Sequence, residues 1–308
     1  MTAFNKKPGG ILAALFAVFI VFISALLYEN GIITEEFYLR LISAAESGIS
    51  VSSDLEVHFI DVGQAECILI VTPEKTVLMD AGDVGYGSTV ENHLRTCGIH
   101  SIDLFIATHP HADHIGSASY VLSRFPVSEV IMPEIPKEYL PTSSFYEDFL
   151  KTLSFKKCSV SYAEIGTEFD LGKNITLEIL GPCGITDDNL NNYSVISKLT
   201  FGETSFLFTG DAEKESELSV LASGADVSCT VLSVGHHGSS TSTCGDFLSA
   251  AAPQYAVISC GANNDYGHPH SKTLEAFEKS GIICYRTDYD GNIIIGSDGK
   301  TITVRTEK

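Results

Sequence analysis

The chain predicts an α/β fold: two halves of strands with interspersed helices, suited to a four-layer αββα sandwich, set behind an N-terminal transmembrane helix. Three observations carry this expectation. From residue 55 onward, short runs rich in Val, Ile and Leu, bounded by Gly, Pro and Asn, alternate with helix-patterned stretches, and the order recurs in the second half. Side chains able to do chemistry stand where the apolar runs end, which gathers them at one edge of the strands. Residues 10–28, GILAALFAVFIVFISALLY, carry no charge over nearly the ~20 residues a helix needs to cross a bilayer.

Taken in order, Lys6 and Lys7 precede the apolar run, which places them in the cytoplasm and the rest of the chain outside. The run exceeds the roughly 7–15 apolar residues of a signal peptide, and Leu27, Tyr28, Glu29 and Asn30 make a poor small-residue cleavage site. Residues 1–30 therefore read as a single-pass membrane anchor, with a cleaved signal and a secreted domain as the alternative. Residues 31–54 read as a short helix and a linker, and residues 55–308 as the catalytic domain. There, EVHFIDVGQAECILIV and KTVLMDAGD are strand-like, followed by a helix containing residues 92–97, a strand at 101–107 and a helix at 115–124. VSEVIMP (a strand) and residues 145–153 (a helix) close the first half. The second half reads as ITLEILG, a hairpin SVISKLTFGETSFLFTGD turning at Gly202, Glu203 and Thr204, a helix at 213–221 and the buried strand VSCTVLSV. AVISC, a helix at 273–279, IICYRT and NIIIG complete it.

Composition bounds the function classes. Apolar residues make up 44% of the chain, enough for a sizeable core. With 19 basic against 39 acidic residues the formal charge is −20, which repels phosphate polymers at long range unless local cations offset it. Charge by itself does not favour nucleic acid. Eight cysteines are scattered with no CxxC pair, so neither a zinc knuckle nor a thioredoxin-like motif is encoded. Cys67 and Cys260 lie in apolar runs and read as reduced, buried thiols, although an extracellular location leaves room for disulfides.

The densest chemistry is in residues 107–117, ATHPHADHIGS, where His109, His111, Asp113 and His114 follow an apolar strand. In an extended segment alternate side chains share a face, so His109 and His111 converge on one ion. Asp113 and His114, where a helix begins, turn toward a second. Imidazole and carboxylate are ligands of zinc, manganese and iron; helix capping would explain Asp113 but none of the histidines. Asp211 in LFTGDAEKE follows an apolar strand and opens a helix, as a metal carboxylate, a cap or both. In VLSVGHHGSSTST, His236 reads as the ligand, and His237 beside it as the group that touches substrate or supports the ligands. His58, His93 and His100 lack metal-like company and read as structural.

HxHxDH after a strand resembles the signature of the metallo-β-lactamase superfamily. The set VHFIDVGQAECILIV, LMDAGD, ATHPHADHIGS, NNYSVISKL, LFTGDAE, GHHGSSTS, NNDYGHPH and YRTDYDGNI looks like the C-terminal hydrolase domain of ComEC-type DNA-uptake proteins, over residues 55 to about 296. Ala65 and Glu66 depart from the Gly and Asp usual there after DVGQ, and because one apolar segment cannot replace the many-helix pore of those proteins, the expectation is a free-standing domain of this type. The resemblance implies the four-layer sandwich, a bridging role for Asp211, support of the ligand imidazoles by Asp61, Gln64 and Asp80, and a cleft-facing loop with Tyr266, His268 and His270. It also exposes a gap, since no histidine lies between His114 and His236 where most members supply one. Residues 187–194, DDNLNNYS, stand there, with Asn191 and Asn192 as oxygen donors; this weakens zinc and favours manganese.

The expected function is that of a membrane-anchored extracellular hydrolase using two divalent ions, zinc or manganese, with a water of lowered pKa between them and Asp113 and His237 as catalytic groups. Its substrate is a phosphodiester: nucleic acid, a nucleotide or a phosphate unit of the cell wall; no partner protein is evident. The alternatives are an ester, lactone or thioester hydrolase on the same site and a non-catalytic binding module.

Overall fold

The structure is a computed structural model that describes residues 54–308; the apolar run at 10–28 and nearly all of the linker lie outside the described residues. The first half runs β1 (Leu55–Phe59), β2 (Ile68–Val71), β3 (Thr76–Met79), α1 (Gly87–Thr96), β4 (Ile102–Ile106), α2 (Ala112–Ile115), α3 (Ala118–Arg124), β5 (Val127–Met132), α4 (Ser144–Lys156) and β6 (Ser159–Tyr162). The second half runs β7 (Glu168–Asp170), β8 (Ile175–Gly181), β9 (Ile196–Phe201), β10 (Thr204–Phe208), α5 (Lys214–Ser223), β11 (Val231–Ser233), α6 (Gly245–Ala251), β12 (Tyr255–Ile258), α7 (Ser271–Ser280) and β13 (Ile283–Arg286). A short α8 (Thr287–Asp290), β14 (Ile293–Ser297) and β15 (Ile302–Thr306) end the chain.

The strands form two sheets, ordered β15-β14-β1-β2-β3-β4-β5-β6 and β13-β12-β11-β10-β9-β8-β7. Each half begins with antiparallel neighbours and then adds three parallel strands, β4 to β6 in one and β11 to β13 in the other. Parallel neighbours need helical crossovers, and α1 to α4 and α5 to α7 supply them. The period of two along the strands sorts the side chains between layers. On β10, Phe206 and Phe208 enter the core between the sheets with Val57, Phe59, Met79 and Leu177, whereas Leu207 faces the other way with Val220, Phe247 and Phe277 of α5, α6 and α7. Phe105 of β4 meets Phe149 of α4 at 6.2 Å on the outer face of the first sheet. Residues 54–93 and 100–308 form one body. Leu94–Ile99, the end of α1 and its turn, is closed by hydrogen bonds from Ile99 N–H to the Leu94 carbonyl and from Gly98 N–H to the Arg95 carbonyl.

Three expected elements differ. The helix at 115–124 is broken into α2 and α3 at Ser117, which leaves helical geometry (φ −99, ψ 3) as its N–H is taken by the Gly82 carbonyl at 3.1 Å and its hydroxyl by the Asp83 carbonyl at 2.5 Å; the Val84 backbone packs against Gly116 where a side chain would not fit. VSCTVLSV is a strand only over β11; before it, Cys229 N–H is engaged by the Ala251 carbonyl and Thr230 N–H by the Ser205 carbonyl. The hairpin turn is Gly202 and Glu203, with Gly202 at φ 57 and Thr204 already inside β10. β6, β7, α6 and β15 went unread; β6 is exposed along its length and so carries no burial pattern. All eight cysteines are free. Among the described residues no helix is long and apolar enough to cross a membrane.

Candidate metal centre

The C-terminal ends of β3, β4, β10 and β11 bring the predicted side chains to one edge. β4 releases the chain at Ile106, and Thr108 to His114 turn over that edge into α2. Asp211 follows β10, while His236 and His237 follow β11 in a tight turn where both adopt left-handed backbone, φ 52 and φ 54. Two consecutive non-glycine residues in that region are strained. The strain aims both rings at the cleft.

Asp211 lies between two sets of nitrogens. Its Oδ1 is 3.1 Å from His114 Nε2 and 3.7 Å from His237 Nε2, and its Oδ2 is 3.8 Å from His109 Nε2 and 3.7 Å from His236 Nε2. Ligand atoms of Asp113, His114, Asp211 and His237 lie within 4.8 Å of one another, as do those of His109, His111 and Asp211. These are two candidate ion sites sharing one carboxylate. The geometry corrects the expected pairing: His237, not His236, joins Asp113 and His114. His237 is buried with Nδ1 2.8 Å from the Ser259 carbonyl and Nε2 3.3 Å from Asp113 Oδ2. His236 is half-buried, and its Nδ1 faces Thr241 Oγ1 at 3.2 Å and Glu213 Oε1 at 3.4 Å.

The environment sets charge. Burial alone would lower the His114 pKa, but Asp211 and Asp80 outweigh it and hold the ring well above the usual range. In His237 burial is likewise overcome by Asp211 and Asp113, which push it up to about 9. Burial would raise Asp113 and Asp211, yet the imidazoles beside them keep both carboxyls below the usual range. His109 and His111 go the other way, lowered chiefly by burial.

The donor set fits divalent ions. His114 Nδ1 is tied to Asp80 Oδ2 at 2.6 Å, while its Nε2 is buried and points into the cluster, 3.1 Å from Asp211 Oδ1. His109 Nε2 and His111 Nδ1 face each other at 2.9 Å, two lone-pair donors with a common focus. Asn191 Oδ1, on the cleft wall, is buried without a partner. Carboxylates and carbonyls behind ligating imidazoles fix their tautomers, and here Asp80 and Ser259 stand behind His114 and His237.

The remaining predicted residues divide. Asp80 also accepts from Thr108 N–H at 2.8 Å, so it anchors the whole motif. Asp61 orients no imidazole; Oδ1 accepts from Gly63 N–H, and Oδ2 faces Lys308 at 3.6 Å, because β1 lies beside β14 rather than β4. Gln64 supports a cleft histidine instead of a ligand: its Oε1 accepts from Gly261 N–H at 3.0 Å, and its Nε2 is 3.4 Å from His268 Nδ1. Asn192 is turned away, with Nδ2 on Asp187 Oδ2 and Oδ1 accepting from Glu213 N–H. His268 and Tyr266 line the cleft of about 440 Å³, but His270 does not; its Nδ1 accepts from Ser240 N–H at 2.9 Å. His58 and His93, read as structural, face each other at 3.1 Å.

Sequence reasoning missed several groups. Ser194 Oγ lies 3.3 Å from His109 Nδ1 and accepts from Asp211 N–H, linking the two motifs. Glu213 holds Asn191 Nδ2 at 3.0 Å and flanks His236; its place in GDAEKE, two residues after Asp211, was the available signal. Glu66, whose backbone N–H bonds the Asp113 carbonyl, is a fully buried carboxyl pushed up to about 7 by burial.

A metallo-beta-lactamase superfamily profile matches residues 60–262, so the chain belongs to that superfamily, whose members are usually metal-dependent hydrolases. Its relatives lie in the ComEC family of competence proteins. It is 30% identical over 319 aligned residues to ComE operon protein 3 of Bacillus subtilis (strain 168), covering 95% of this chain and 40% of that protein. It is 29% identical over 238 residues to competence protein ComA of Neisseria gonorrhoeae, covering 77% of this chain and 31% of the other. The chain thus spans less than half of these relatives. Among solved structures, the E377D mutant of CmlA beta-hydroxylase aligns with 88% of this chain and 58% of its own, at TM-score 0.52 and 16% identity, a likeness of fold alone.

Proposed function

We propose that the protein is a metal-dependent phosphodiesterase acting on nucleic acid, held at the outer face of a membrane by residues 10–28. The observation that carries the reading is Asp211 between two sets of imidazoles, with Oδ1 toward His114 and His237 and Oδ2 toward His109 and His236. His109, His111 and Asp211 would hold one ion, and Asp113, His114, Asp211 and His237 the other. Divalent ions in such a pair supply Lewis acidity, lower the pKa of a water and clamp the oxygens of an in-line displacement at phosphorus.

The chain's own residues do the rest. Asp113, kept ionised and exposed to the cleft, accepts a hydrogen bond from the attacking water and orients it. Gln64 is fixed by Gly261 N–H so that its amide nitrogen donates to His268 Nδ1, which leaves the proton of that ring on Nε2. His268 is held neutral, down to about 4, by burial and the neighbouring histidines, so it donates a hydrogen bond to a phosphoryl or leaving oxygen without carrying charge. Asp80 and Ser259 hold His114 and His237 in place.

The test is hydrolysis by metal-free full-length protein, given zinc or manganese, of bis(p-nitrophenyl) phosphate, a lactone and nitrocefin. Turnover of the phosphodiester alone is expected. Turnover of the lactone with none of the phosphodiester would overturn the reading. The membrane component is checked by carbonate washing: retention in the membrane fraction is expected, and a soluble chain beginning near Glu29 would refute it.

A further inference from the structure

Away from the metal cleft, exposed apolar side chains gather around the C-terminal end of α4 and the edge strand β6. Phe155 is 86% exposed, and Leu150, Val160 and Tyr162 are exposed at 40%, 44% and 55%. The buried stripe of α4 is Tyr146, Phe149 and Leu153; at 3.6 residues per turn Phe155 falls on the opposite face, so the core does not use it. β6 ends the first sheet and is exposed along its length. Leu150, Val160 and Tyr162 border a groove of about 440 Å³ that Pro133, Ile135 and Leu140 continue. Single exposed apolar residues are ordinary, whereas a group of them rimmed by charge marks a protein or membrane contact.

The rim here is basic. Residues 149–163 hold Lys151, Lys156 and Lys157 and no acidic side chain, in a chain with 19 basic and 39 acidic residues. Lys151 is engaged by Glu147 and Asp148 at 3.3 Å and 3.2 Å, whereas the exposed Lys156 and Lys157 pair with no described carboxylate. An aromatic ring flanked by lysines is a composition that enters the headgroup region of a bilayer, the ring toward the acyl chains and the ammonium groups toward lipid phosphates. The sequence also sets the reach. Residues 29–53 lie between the apolar run and the described domain, a tether of at most roughly 85 Å. Such a tether keeps the domain at high effective concentration beside the bilayer, so a weak surface suffices.

We propose that the C-terminal end of α4 and the adjoining β6 dock on an anionic lipid surface, with Phe155 entering the headgroup region and Lys156 and Lys157 on lipid phosphates. The proposal rests on the membrane anchor in the reading above and not on the chemistry of the cleft. α4 begins beside the metal centre, where Phe145 lines the cleft, and reaches Phe155 roughly 15 Å further along its axis. Docking therefore holds the cleft close to the bilayer instead of letting it range over the length of the tether.

The chain contains no tryptophan, so Phe155→Trp gives the full-length protein a single fluorescent reporter at the patch. Tyr289→Trp, at an exposed residue of α8, is the control. Each variant is reconstituted in vesicles of phosphatidylglycerol and phosphatidylcholine that carry brominated acyl chains. The reporter at Phe155 is expected to shift to the blue and to be quenched, with the control unaffected. Adding Lys156→Ala/Lys157→Ala should lower the ratio of docked to undocked protein about 30-fold, the scale of two basic contacts with an anionic surface. Vesicles of phosphatidylcholine alone should have the same effect on the parent. A reporter at Phe155 that stays in water in both lipids overturns the proposal. So does a blue shift without quenching, which means that protein covers the patch: a second copy if the shift fades at low protein-to-lipid ratio, residues 1–53 if it does not. Quenching equal in the two lipids would overturn the role of the lysines and with it the anionic surface. If carbonate washing releases the chain, the anchor reading fails, and the same reporters with vesicles added from outside still decide the docking surface: quenching keeps it, and none removes it.

Discussion

The two ligand sets that share Asp211 are held with unequal firmness. His114 and His237 are buried, and each has its Nδ1 fixed by an oxygen acceptor, Asp80 at 2.6 Å and the Ser259 carbonyl at 2.8 Å. His109 has only the hydroxyls of Thr108 and Ser194 behind it, both at 3.3 Å, and its companion His111 is half open to the cleft. The charge states differ too: the firm pair is drawn toward the imidazolium form by its carboxylates, whereas burial keeps His109 and His111 neutral. A preorganised, carboxylate-rich site and a sparer one that needs another donor therefore sit side by side, and the difference predicts unequal metal occupancy.

The strongest way to break the comparison is to remove what the sets share. Asp211→Ala is expected to abolish binding of both ions and lower hydrolysis on the order of 1,000-fold, the scale of an essential charge-stabilising group, with the fold retained by circular dichroism. A variant that keeps one tight ion would show that the carboxylate belongs to one set only. Next in size, Asp80→Asn should cost about 10–100-fold in affinity at the firm set, as for other residues that orient ligand imidazoles, and leave the sparer set unchanged in a calorimetric titration. Loss at both sites alike would refute the division.

Acidity gives a subtler test. An ion must displace protons from His114 and His237, both held above the usual range by their carboxylates and His237 at about 9, so affinity at the firm set should rise with pH across the neutral range, with protons released on binding at pH 7. The sparer set, whose imidazoles are already neutral, should show little pH dependence over the same range. Metal titrations at pH 6.5, 7.5 and 8.5 separate the two behaviours, and parallel curves would count against the assignment.

The smallest effect concerns the gap in the sparer set. Asn191, with Oδ1 unpartnered on the cleft wall, is the neighbour able to contribute, so Asn191→His should tighten zinc there about tenfold relative to manganese. Asn192→His should do nothing, because that side chain is occupied with Asp187 and Glu213. Equal gains from both, measured by competition with a chromophoric chelator, would show that the loop rearranges around the ion.

The sequence by itself determined that the chemistry collects at strand ends, because that placement follows from local pattern: an apolar run stops, and the next residues are HPHADH, GDAE or GHHG. The doubled strand and helix order was legible for the same reason, except for edge elements such as β6, whose exposed residues leave no period to read. Tertiary structure alone decided which groups meet. Asp61 and Asp80 both follow apolar strands, but β3 pairs with β4 and so puts Asp80 behind His114, whereas β1 pairs with β14 and β2 and leaves Asp61 beside Lys308. His236 and His237 are neighbours in a turn where both residues are left-handed, so strand alternation no longer tells which ring points inward. That choice is made by a carbonyl from another strand, Ser259 at the end of β12, which captures His237 Nδ1 and leaves His236 to Glu213 and Thr241. Partners so far apart along the chain leave no mark on local spacing, since only the pairing of strands fixes the distance between them.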